Sequence, residues 1–288
     1  MQPPATDFGA EIASRIAGRE PCWFPGLAGH LVSRFWASAP DAHCADYSTA
    51  SWLGEPTDGS RVLVPGQATI AVEPLPRLLA RRFNAPAFAK TAPCVARAVA
   101  AALMRLRGGG AAESVATLVR SIHCVAARGP GYDCSHSEPG LPFSVLLSIS
   151  VGERHAELRL AESLLHEAMH LQLTLIERDA PIVGVSAGSG YSPWQRRQRP
   201  IQGLLHGLYV FAAIHQWLRH LAADPSLPPE DRIYAERRLI EIDAEVDAVS
   251  ALGSAPELTD FGRAVATWLL RDFGDVPASH GRRAEPAG

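Results

Sequence analysis

The stretch RHAELRLAESLLHEAMHLQLTLIER, residues 154–178, decides how the rest of the chain is read. Leu158, Leu160, Leu164, Leu165, Met169, Leu171, Leu173, Leu175 and Ile176 fall on almost every side of a 3.6-residue repeat, so the spacing predicts a helix enclosed by the fold. One polar stripe breaks that surround: Arg159, Ser163, His166, His170, Thr174 and Glu177 recur every three or four residues. Residues four apart on a helix are offset by about 40° in angle and about 6 Å along the axis, so the imidazoles of His166 and His170 can converge on one ion. Glu167 lies at the edge of the stripe, where its carboxylate can reach a water bound to that ion. Two enclosed imidazoles without partners would cost on the order of a few kcal/mol. A divalent metal removes that cost. HEAMH fixes only three positions and also arises by chance, so its context has to carry the reading.

The third ligand decides the chemistry. The extended pattern HExxHxxGxxH needs Gly at 173 and His at 176; the chain has Leu173 and Ile176, which excludes that class of zinc peptidase. A thermolysin-like site takes a Glu from a later helix. No acidic residue occurs between 180 and 223, so such a Glu would have to be Glu230, Glu236, Glu241 or one beyond. His206, in RPIQGLLHGLYVFAAIHQWL (199–218), is the favoured candidate, near the start of an apolar helix with Gly203 and Gly207 permitting close approach. His215 and His220, further along, read as exposed or capping histidines.

Working outward, residues 8–38 carry two short helical patterns broken by Pro21 and Pro25, residues 39–66 are turn-rich, and 68–74 read as a strand. A helix over 92–107 ends at Gly108, Gly109 and Gly110. Two segments rich in β-branched and aliphatic residues, 114–127 and 141–151, read as neighbouring strands separated by the turn signals of GPGYDCSHSEPG. After a Gly/Ser/Pro-rich loop (181–203), helices are expected at about 204–222, at 229–251 from Pro229, and at 258–272. The expected class is α+β and mostly helical: a zincin-like metal-binding helix packed on a small β-sheet, with C-terminal helices. The expected organisation is an N-terminal helical region, 1–110, as a candidate for peptide recognition, a metal-binding region, 111–275, and a disordered tail, 276–288.

The chain has 288 residues, a net charge of -3 and 20% charged residues, which is ample for a core and gives no positive excess for nucleic acid or anionic lipid to find. The five cysteines, Cys22, Cys44, Cys94, Cys124 and Cys134, are odd in number and form no CxxC pair, so they read as reduced. The opening MQPPATDFGAEIASRIAGRE lacks the basic flank and apolar run of a signal peptide, and no stretch reaches the about 18 apolar residues of a membrane span. A cytoplasmic protein with no membrane and no nucleic-acid partner is expected.

The run RLAESLLHEAMHLQL (159–173), with DCSHSEPGLPFSVLLS (133–148) before it and RPIQGLLHGLYVF (199–211) after it, resembles the HExxH-motif proteins of ribosomally made peptide natural-product clusters. The resemblance spans about residues 130–215, weakens in the C-terminal helices and is almost absent from the first hundred residues. It implies an iron(II)- and 2-oxoglutarate-dependent oxygenase that uses O2 to β-hydroxylate residues of a precursor peptide. On that reading His166, His170 and His206 hold iron and Glu167 orients a ligand or water. The co-substrate's distal carboxylate needs a cation, for which the acid-free stretch supplies Arg196, Arg197, Arg199 and Arg219; Arg199 is the first choice and Arg197 the second. Tyr209, near His206, is a candidate to donate a hydrogen bond into the site, and Ser135, His136 and Ser137 to line the substrate cleft, against the plainer roles of packing and polar turn. Non-haem iron oxygenases usually present two His and one carboxylate, and three histidines depart from that set. Two other readings stand beside it: a zinc metallopeptidase with Glu167 as general base, and a non-catalytic peptide-binding protein whose histidines are structural.

Overall fold

A computed structural model describes residues 8–17, 26–38, 60–62, 69–82, 93–107, 110–125, 133–137, 141, 143–149, 152–185 and 188–274. The architecture is α+β, mostly helical, with one small mixed sheet. Its strands are β1 (Ser60–Val62), β2 (Ile70–Pro74), β3 (Ser121–Val125), β4 (Ser135–Ser137) and β5 (Ser144–Ser148), in the spatial order β1-β2-β3-β5-β4. The central three run parallel; β1 and β4 are antiparallel to their neighbours. Successive side chains on a strand point to opposite faces. Ile70, Val72, Ile122, Cys124, Val145 and Leu147 therefore face the helices and join the main core, while Leu146 packs with Leu75, Ala80 and Leu141 on the other side.

The helices are α1 (Phe8–Ala17), α2 (Leu27–Ala37), α3 (Arg77–Arg82), α4 (Pro93–Arg105), α5 (Ala111–Leu118), α6 (Ala156–Asp179), α7 (Ile201–Ala223), α8 (Pro229–Asp247) and α9 (Asp260–Gly274), with a 3-10 turn at Ser250–Ser254. Helix α6 touches α2, α4, α5, α7, β4 and β5, which is why it is apolar nearly all round. A single buried cluster joins side chains from Phe8 to Leu269. Among the described residues no helix is long and apolar enough to cross a membrane.

The expected strand over 114–127 is half helix. Gly110 turns the chain at φ 84, the Ala-rich segment that follows favours a helix, and Ala111, Val115 and Leu118 bury one face at helical spacing. Extended backbone begins at Val119 (φ -106, ψ 114), just before the N–H groups of Arg120 and Ser121 both donate to the Phe143 carbonyl. The loop expected over 181–203 contains a hairpin, β6 (Ser189–Ser192) with β7 (Arg197–Pro200), and runs straight into α7 at Ile201. His215 is buried, with Nε2 3.1 Å from Asp243 Oδ1, and is neither exposed nor a cap. Cys94, Cys124 and Cys134 are free thiols; Cys22, Cys44 and the tail 276–288 lie outside the described residues.

Candidate metal centre

The polar stripe of α6 is visible as a line of half-buried positions. Arg159, Ser163, His166, His170, Thr174 and Glu177 are each partly open, while Leu164, Leu165, Ala168, Met169, Leu173 and Ile176 are sealed. The stripe forms one wall of a cavity of about 640 Å³, to which α6 contributes His166, Glu167, His170, Thr174 and Glu177. Ser135, His136 and Ser137 of β4 form another wall; Gln195, Arg199, Gln202 and His206, from the hairpin and the first turns of α7, close it.

Helix α7 can lie against the hairpin because two of its residues lack a side chain. A Cβ on Gly203 would sit 3.1 Å from Arg199 Cζ, Nε and Nη2, and one on Gly207 would sit 2.5 Å from the Trp194 ring. Trp194 in turn stacks on Phe211 at 5.2 Å. The close approach expected at both glycines is thus spent on the hairpin's side chains.

The three histidines form a row. The His166 and His170 ring centroids are 4.8 Å apart and those of His170 and His206 5.5 Å apart. His170 Nδ1 lies 3.3 Å from His206 Nδ1. Two nitrogens each about 2.1 Å from one ion, at angles of about 90 to 110°, stand about 3.0 to 3.4 Å apart. That spacing and the imidazole donor set fit a divalent transition metal. Among the described residues, no three His, Cys, Asp or Glu side chains are already grouped around one point. The His170–His206 pair has the required separation, and the His166 ring stands beside it, its centroid 4.8 Å from that of His170.

Burial, and after it the Arg238 guanidinium, lowers the His166 pKa to about 4. Burial and then His166 itself lower that of His170 to about 3, with Glu167 acting in the opposite sense. Both rings are therefore neutral at pH 7, the form that binds metal. Glu167 is buried, lines the cavity, and has Oε1 3.9 Å from His166 Nε2.

The residues considered for a co-substrate separate. Arg199 is half-buried, lines the cavity, and has no hydrogen-bond or ion-pair partner among the described residues; burial, then Arg197, lowers its pKa. Arg197 is exposed, donates to Gln195 Oε1 at 3.0 and 2.8 Å, and is not part of the cavity wall. Tyr209 is buried in the core, where its hydroxyl accepts a hydrogen bond from Gln172 Nε2 at 2.9 Å; it does not line the cavity either. Of the carboxylates weighed for a peptidase-like third ligand, Glu230 and Glu236 are exposed, and Glu241 is paired with Arg238 at 3.0 Å.

Two features of the site were not assigned from sequence. Glu177, already visible on the stripe, places Oε2 2.8 Å from His206 Nε2, and Gln202 Nε2 donates to its other oxygen at 2.8 Å. Its place seven residues after His170 was the available signal; its pairing depends on where α7 crosses α6. The second is a smaller cavity of about 360 Å³ that shares Ser135 and His166 with the first and is walled by Arg159, Glu162, Phe211 and Arg238. Elsewhere Ser121 Oγ donates to Glu73 Oε2 at 3.2 Å and lies 3.2 Å from His123 Nε2, but these side chains are sealed at 0, 2 and 0% exposure and serve the sheet. No protein-family model and no curated protein matches the chain.

Proposed function

We propose that the protein is a zincin-like, cytoplasmic iron(II)- and 2-oxoglutarate-dependent oxygenase that β-hydroxylates residues of a ribosomally made precursor peptide. The observation that supports it best is one cavity bearing three neighbouring histidines and a half-buried arginine, Arg199, with no ion-pair or hydrogen-bond partner among the described residues. His166, His170 and His206 would hold the iron, as imidazole suits it. Iron with 2-oxoglutarate and O2 supplies the oxidation: one oxygen atom enters a C–H bond of the peptide, the other enters succinate, and carbon dioxide leaves. Arg199 takes the distal carboxylate through charge-assisted hydrogen bonds that it does not make to other described residues. Glu167 accepts hydrogen bonds at the cavity wall and orients a water or a histidine ring. The hydroxyls of Ser135 and Ser137 border the remaining space, where the peptide would lie.

Reduced, iron-loaded protein incubated with 2-oxoglutarate, O2 and a precursor peptide encoded nearby should release succinate and add one oxygen to the peptide. Arg199→Ala should raise the KM for 2-oxoglutarate by about 10- to 100-fold, the loss of a charged hydrogen-bond pair, with Arg199→Lys in between. Absence of both succinate and the mass gain with the cognate peptide would defeat the reading.

A second reading, a zinc metallopeptidase, draws on Glu167, which is buried beside His166 and open to the cavity as a general base must be. Peptide cleavage by zinc-loaded protein, abolished in Glu167→Gln with metal retained, would select it over the oxygenase.

A further inference from the structure

We infer that Glu177 is a positioning residue for this centre, fixing His206 in the tautomer whose Nδ1 is free to bind a cation; the inference rests on the metal centre proposed above. An ionised carboxylate only accepts hydrogen bonds, so the 2.8 Å contact between Glu177 Oε2 and His206 Nε2 requires the proton on Nε2. In the neutral ring Nδ1 then carries the lone pair, and Nδ1 is the atom 3.3 Å from His170 Nδ1. Gln202, on the same helix as His206, donates to the other oxygen of Glu177 at 2.8 Å, so the carboxylate is held from both sides. The pair is little exposed, with 14% of the His206 side chain and 15% of the Glu177 side chain accessible, and low local dielectric strengthens such a contact. A carboxylate behind a ligating imidazole selects its tautomer, sets its ring plane and raises its basicity. Helix α6 would thus present two of the rings and aim the third, which comes from α7.

The full-length protein, metal-free and labelled with 15N-histidine, tests the tautomer directly: long-range 1H–15N correlation should find His206 protonated at Nε2 in the wild type and in a mixture of forms in Glu177→Ala. Cobalt(II), titrated against a competing chelator, tests the consequence. Glu177→Ala should bind it at least tenfold more weakly, within the range of about 10- to 100-fold usual for such partners. Glu177→Gln, whose amide oxygen still accepts from Nε2–H, should bind at least threefold more tightly than Glu177→Ala. Protonation of wild-type His206 at Nδ1, a loss below tenfold in Glu177→Ala, or equal losses in the two variants would each overturn the inference. If Glu177→Ala fails to fold, the wild-type tautomer decides: Nε2–H upholds the assignment and Nδ1–H overturns it. If His170→Ala binds cobalt as tightly as wild type, the metal centre itself falls, and the correlation spectrum still judges the role of Glu177 separately.

Discussion

At the residue scale, His166 and His170 resist protonation in the folded chain, with pKa values of about 4 and about 3 against the ordinary 6.5. A folded pKa held below the unfolded one means that the unfolded chain takes up protons first as pH drops. The stability contributed by the neutral rings is complete above about pH 6.5 and is lost as pH falls toward the folded values. The effect should be the smaller for His166, since 28% of its side chain stays open to the cavity. Metal-free protein should therefore show a falling urea midpoint between pH 7 and pH 5, and His170→Asn should flatten that slope. An unchanged slope in the variant would show that His170 does not govern it.

At the element scale, the junction of hairpin and α7 depends on Gly207. Alanine there gains up to about 1 kcal/mol of helix propensity. Its Cβ, however, would press 2.5 Å from a Trp194 ring already stacked on Phe211, and overpacking of a fitted contact costs about 1–3 kcal/mol. Gly207→Ala should come out destabilised in denaturant titration, with altered Trp194 fluorescence; a stabilised variant would mean that the ring moves freely. How far such elements can be read without coordinates depends on their length. Helix α6 repeats its pattern over 24 residues, so its helical character, its enclosure and its polar stripe were legible, and so was the HEAMH pair. Strand β4 is three polar residues amid glycines and prolines, and β6 and β7 are four each, too short for alternation to register. Val115, Leu118 and Val119 made α5 look extended, because the same residues suit a strand and a short helix packed inside. The His206–Glu177 contact had no local signature: the partners are 29 residues apart and meet only through the crossing of two helices.

At the scale of the whole molecule, the N-terminal helices belong to the same core as α6. Arg34 of α2 pairs with Asp179 at the end of α6 at 3.0 Å, and the rings of Phe35 and Trp36 pack on Phe143 at 5.1 and 5.3 Å. Leu31, 1% exposed, lies in that cluster. Leu31→Ala should cost about 2–5 kcal/mol and lower a single unfolding transition seen alike by near- and far-ultraviolet circular dichroism. Two separated transitions would instead mark the N-terminal helices as an independent unit. The parallel β2, β3 and β5 join segments that lie far apart along the chain, and such ladders close slowly. The row of imidazoles adds its own delay: during translation His166 and His170 leave the ribosome well ahead of His206. A nascent polypeptide stalled before that residue has no Nδ1 pair to offer, so a cation held by the proposed centre would have to be acquired late in synthesis or after release.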